Sequence, residues 1–106
     1  MNQPDADHIF HIITNNEWHT YQATGIISPE SLRTEGFVHC STAAQVTATI
    51  GRYYAGRSDI RVVEISVALL DSAAEVRWEE SRPDEFFPHV YSSIPLAAVV
   101  GELSTD

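Results

Sequence analysis

The stretch His8-Ile9-Phe10-His11-Ile12-Ile13-Thr14-Asn15-Asn16-Glu17 decides the architecture. Its opening run is rich in β-branched and aromatic residues, and in an extended chain Ile9, His11 and Ile13 take one face while Phe10 and Ile12 take the other. Both faces are largely apolar, which predicts a strand buried on two sides. Thr14 to Glu17 then has the T-x-x-E form of a capping box, in which a hydroxyl and a carboxylate satisfy the first free N–H groups of a helix. A strand therefore feeds a helix directly, with Trp18 and Tyr21 on one side of that helix and Gly25 placed to end it.

The same grammar returns downstream. Ser28, Pro29 and Glu30 read as a loop or a single turn, and Gly36 opens a second apolar run, Phe37 to Cys40. Alternation sets Phe37, His39 and Ser41 on one face and Val38 and Cys40 on the other. Thr42 and Gln45 form another capping box, opening a helix whose stripe is Ala43, Val46, Ile50, Tyr53 and Tyr54, with Gly56 closing it. The remainder reads as β: Arg61 to Val67, Glu75 to Glu79, a piece around Phe87 to Tyr91, and Leu96 to Leu103. Pro88 confines its segment to an edge or a strand start. The expected fold is a small α+β domain over residues 8–103, two helices packed on a mostly antiparallel sheet, with residues 1–7 and 104–106 as loose termini. No G-x-G-x-x-G occurs, so a dinucleotide-binding Rossmann unit is excluded.

Composition narrows the function. At 106 residues the chain has room for one domain, and 15 acidic against 6 basic residues give a net charge of −9. A field of that sign repels duplex nucleic acid. All the basic residues are arginine, so chemistry that needs a lysine, whether a Schiff base or a phosphate-loop ammonium, is absent. Cys40 is the sole cysteine, which rules out an intrachain disulfide and the cysteine-rich zinc frameworks. Met1 to Asp7 lacks the basic start and apolar run of a signal peptide, and no run of 18 apolar residues occurs. The expectation is a cytoplasmic monomer with a small-molecule ligand and neither membrane nor duplex partner.

Of the five histidines, His8 and His19 read as solvated, whereas His11, His39 and His89 sit among aromatic or β-branched residues. His11 admits two readings: a buried imidazole satisfied by backbone, or a neutral ring presented to a ligand. His39 and Ser41 put two hydrogen-bonding groups on one strand face at the start of a capped helix, a corner suited to an anion or a ribose, although Ser41 and Thr42 also fit ordinary capping. Cys40 points away from His39 and reads as buried and inert. The histidines lack metal-ligand helix spacing, so no metal is expected. Glu79 alternates with Trp78 and reads either as a solvated acid or as a carboxylate beside a cleft, where it would hydrogen-bond a sugar. Phe87, His89 and Tyr91 share one face when extended, which suits a planar ligand and equally a packed core.

The runs Phe10-His11-Ile12-Ile13-Thr14, Glu35 to Thr42 with Gln45, Arg77-Trp78-Glu79 and Phe87-Pro88-His89-Val90-Tyr91 resemble the family called domain of unknown function 952. That family is grouped by fold with the ADP-ribosyltransferases. The resemblance implies an ADP-ribosylation-like fold, NAD as cofactor and possible ADP-ribosyl or 2′-phosphate transfer. By position, His11 resembles the residue that holds the adenosine ribose, and Gly25-Ile26-Ile27 the glycine step after the first helix. His39 and Ser41 match the nicotinamide side, and Glu79 is nearest to the transferase glutamate. The candidate ligand set for such a nucleotide is His11, Thr14, His39, Ser41, Thr42 and Tyr91, with His39, Glu79 and His89 as the catalytic candidates; the helix start at Thr42 and one of Arg33, Arg52 or Arg57 suit a pyrophosphate on physical grounds, no arginine being carried over from the family. Two other readings stay open: a metabolite-binding module without chemistry, and a small hydrolase using His39 and His89 as acid and base.

Overall fold

In the computed structural model, which describes residues 7–104, the elements run β1 (His8–Thr14), α1 (Asn15–Thr24), β2 (Ile26–Ile27), α2 (Glu30–Thr34), β3 (Val38–His39), α3 (Ala43–Tyr53), β4 (Ile60–Ser66), β5 (Val76–Arg82), β6 (Glu85–Val90), β7 (Ile94–Pro95) and β8 (Val99–Leu103). Short 3-10 turns at Val67–Leu69 and Leu96–Ala98 precede the fifth and eighth strands. The strands form antiparallel sheets in the orders β1-β4-β8 and β3-β6-β5, with β2 and β7 as a separate pair. The result is one small α+β domain.

The alternation of β1 organises two apolar layers. Phe10 and Ile12 pack with Ile60, Val62 and the α3 residues Val46 and Ile50. Ile9 and Ile13 face the larger core of Tyr21, Ile27, Val38, Cys40, Val63, Ile65, Val90 and Ile94. The first sheet thus lies between α3 on one side and the rest of the chain on the other. Both capping boxes close as the spacing predicts. Thr14 Oγ1 accepts from Glu17 N at 3.1 Å while Thr14 N donates to Glu17 Oε1 at 2.8 Å, and Thr42 with Gln45 repeats this at 3.2 and 2.9 Å. Gly25 ends α1 at φ +83°, its N–H donating to Tyr21 O.

One pair of hydrogen bonds ties the two larger sheets together: Phe10 N to Ser41 O at 2.8 Å and Ser41 N to Phe10 O at 2.7 Å. Residue 41 therefore serves both as the continuation of β3 and as a neighbour of β1. This junction brings His11 beside His39.

Several expectations need correction. A third helix, α2, occupies the segment after Pro29 where a loop or single turn was expected. It is held by Ser31 Oγ donating to Phe37 O at 2.8 Å, a contact that local spacing does not reveal. Pro88 lies in the central strand of its sheet, not at an edge or a strand start. Its carbonyl accepts from Cys40 N at 3.1 Å, so the bond a proline cannot return falls where β3 has already ended, and the ladder to β5 survives. Tyr53 is 67% exposed, outside the apolar stripe of α3. The β2–β7 pair was not expected, because two-residue strands carry no periodicity. His8 is not simply solvated: it sits on β1 with Nδ1 against Glu64 Oε2. The loose-end reading of residues 1–7 and 104–106 lies outside the described residues for 1–6 and 105–106, and Asp7 is tied, its carbonyl accepting from Val67 N at 2.9 Å. Among the described residues no helix is long and apolar enough to cross a membrane.

Candidate functional site

One face of the β3-β6-β5 sheet carries the chemistry. Register sets His39 opposite His89, His89 opposite Arg77, and Phe87 opposite Glu79. Residues two apart share a face, so Phe37 and His39, Phe87, His89 and Tyr91, and Arg77, Glu79 and Ser81 all belong to it. His89 is at its centre, only 4% exposed. Its ring stacks on Phe37 with centroids 4.0 Å apart and 16° between planes, and meets His39 edge-on at 5.2 Å. Nδ1 lies 2.7 Å from Glu79 Oε1, and Nε2 lies 3.4 Å from Ser81 Oγ. The same carboxylate oxygen accepts from Tyr91 Oη at 2.7 Å. Those two hydrogen bonds, Tyr91's first and His89's second, hold the Glu79 carboxyl below the usual carboxylate range. A carboxylate can only accept, so His89 carries its proton on Nδ1 and turns Nε2 towards Ser81 as an acceptor.

His11 approaches from β1. Its Nδ1 donates to His39 O at 2.7 Å, which leaves Nε2 as an unprotonated acceptor without a protein partner among the described residues. Burial pushes the His11 pKa below its ordinary 6.5, against the smaller opposing effect of that carbonyl, so the ring is neutral. The Ser41 hydroxyl, in a residue 4% exposed, likewise has no protein partner among the described residues. Burial also raises the Cys40 thiol far above its ordinary value, which makes it unreactive as its apolar face implied.

A cavity of about 580 Å³ opens between these parts. His11, His39, Ser41, Ser81 and His89 line it, with Ile12, Cys40, Phe87 and Tyr54 as apolar wall and Glu17, Glu35, Arg52 and Arg82 among its charged groups. Of the residues singled out from sequence, His11, His39, Ser41 and His89 thus meet in one hollow. Thr14 and Thr42 do not line it, and their hydroxyls are engaged as helix caps. Glu79 and Tyr91 stand behind His89 and touch it or each other instead of the cavity. Of the three arginines considered for a pyrophosphate, Arg52 alone lines it, and Arg57 is paired with Asp59. Sequence reasoning missed Ser81 and Arg82 because it stopped the fifth strand at Glu79. The turn pair Pro83-Asp84 was the available signal, since a hairpin strand runs up to its turn. Among the described residues no three His, Cys, Asp or Glu side chains gather as a metal set.

Solved structures share this architecture. The crystal structure of protein CC0527 from Caulobacter crescentus superposes with a TM-score of 0.79 at 24% identity, covering 93% of this chain and 88% of that one. Its solution NMR structure gives 0.77 at 25% identity, covering 94% and 85%. No curated protein matches the chain. The family model described as protein of unknown function (DUF952) matches residues 12–102, and the chain, with its linked sheets and the histidine-lined hollow between them, therefore belongs to that family.

Proposed function

We propose that the cavity binds a nucleotide of the NAD or ADP-ribose type, within an architecture of the ADP-ribosyltransferase kind. The observation that carries this reading is His11: a neutral imidazole whose tautomer is set by His39 O, with its other nitrogen left as an acceptor in a cavity that Ser41 also lines. A ribose hydroxyl donates to such a nitrogen and exchanges hydrogen bonds with a serine hydroxyl. His39 and the aromatic wall of Phe87 supply flat surfaces for a base or a pyridine ring. Arg52 and Arg82 are the cations available to a pyrophosphate. When bound, a dinucleotide of this class brings a glycosidic bond to a stable leaving group. Glu79 is turned towards His89 and Tyr91, so His89 is the residue of that pair that reaches the ligand, and binding is the primary reading.

The test is a thermal-shift and NMR titration of the full chain with NAD, ADP-ribose, nicotinamide and 2′-phosphorylated nucleotides. A ligand at a hundredfold excess over Kd stabilises the native state by about 2.7 kcal/mol. His11→Ala and Ser41→Ala should abolish the shift in proteins that still fold. Absence of any shift in the parent chain retires the reading.

A further inference from the structure

We propose that Ser81, His89 and Glu79 form a nucleophile relay that hydrolyses carboxylic esters in the same cavity, an activity that does not depend on nucleotide binding. The geometry is that of an activated serine: hydroxyl against Nε2, and Nδ1 against a carboxylate at 2.7 Å. The Ser81 contact, 3.4 Å, is long in the way catalytic hydrogen bonds are before substrate arrives. Three restraints fix the base. Glu79 holds Nδ1, Phe37 stacks on the ring, and Tyr91 Oη holds the Glu79 oxygen that His89 uses. The nucleophile stands at an irregularity: β5 pairs Glu80 with Phe86 and Arg82 with Glu85, leaving Ser81 as the extra residue without a partner. Such a bulge re-aims a side chain and disrupts the local ladder, and a backbone N–H released there would serve as the oxyanion donor. Unlike Glu79, Ser81 lines the cavity.

The reaction balances with water as the only co-reactant. Ser81 Oγ attacks the ester carbonyl carbon as its proton passes to His89 Nε2, and the carbonyl pair moves to oxygen. Collapse breaks the bond to the alcohol oxygen, which takes the proton from Nε2 and leaves an acyl-serine. Water then attacks that acyl carbon, giving a proton to Nε2. Second collapse breaks the Ser81 ester bond, returns the proton to Oγ and releases the acid. Ser81 and His89 are the catalytic residues; Glu79 is a positioning residue.

The experiment treats the full chain with a fluorophosphonate probe and, separately, with p-nitrophenyl acetate. Expected is a phosphonylated peptide containing Ser81, with labelling and ester turnover reduced at least about 100-fold in Ser81→Ala and His89→Ala. Ser81 is exposed, so its alanine variant should keep the parent's melting temperature and circular dichroism, which separates lost chemistry from lost fold. Glu79→Gln should slow labelling and lower kcat for p-nitrophenyl acetate while KM stays in place, and Glu79→Asp should restore part of the rate; a merely structural role would give no such split and no rescue. No labelling, labelling elsewhere, or turnover that survives Ser81→Ala overturns the proposal. Each of these outcomes is independent of the nucleotide titration, which can succeed or fail on its own.

Discussion

His11 shows how one side chain joins fold to function. Its hydrogen bond to His39 O crosses between the sheets, and burial keeps its pKa below 6.5. The unfolded chain therefore takes up a proton below about pH 6.5 that the folded chain resists, so the contribution is complete above that pH and is lost as pH falls. His11→Asn retains a donor for the carbonyl but cannot titrate. Melting curves between about pH 5 and 7 should show a shallower loss for this variant than for the parent, and equal slopes would refute the assignment. His11→Ala, which orphans the carbonyl, should cost about 1–3 kcal/mol in urea unfolding at neutral pH. The choice between a packed histidine and a ligand-facing one was open in the sequence because both need an apolar neighbourhood. The structure shows that His11 does both at once, one nitrogen for the backbone and one towards the cavity.

At the scale of elements, the signals that survived were local. The T-x-x-E and T-x-x-Q boxes, and Gly25 in the left-handed region, concern groups within a turn of each other, and each formed as read. Gly25→Ala places a Cβ at φ +83° and should destabilise by about 1 kcal/mol, measured by chemical denaturation, although nothing crowds the position. A neutral result would mean that the helix end relaxes. What local reading missed was decided by partners more than one turn away. Ser31 holds α2 through Phe37, Gly25 O accepts from Leu96 N beside the β2–β7 pair, and β5 runs past Glu79 because β6 returns to pair with it. Pro88 belongs here too. Its exclusion from a central strand assumed ladders on both sides at that residue, but β3 stops one position short.

For the whole molecule, the net charge of −9 governs solution behaviour. Several acids are paired, as Asp59 is with Arg57 and Glu75 with Arg77, yet the excess remains and opposes compaction. Raising salt from about 0.01 M to about 1 M shortens the screening length from about 30 Å to about 3 Å. The melting temperature should rise over that range, read by differential scanning calorimetry, because repulsion among unpaired acids is screened more than short paired contacts are. A fall would show that the pairs outweigh the excess. The same excess surrounds Arg52 and Arg82 with Glu17, Glu30 and Glu35 in the cavity, so an anionic ligand should bind more tightly as salt rises, read by titration at two ionic strengths, and weaker binding would show that the arginines dominate.

The amino-acid order alone determined the two capped helices, the two-faced first strand, the α+β class and the presence of His11, His39, Ser41 and His89 on strand faces that suit a ligand. These rest on spacings of two, three and four residues, which any extended or helical chain converts into shared faces. Only the tertiary structure decided that those faces meet, that Glu79 backs His89 instead of entering the cavity, and that Ser81 stands before it. Such relations depend on strand register and on one bulge, which are set by long-range pairing and leave no periodic mark in the chain.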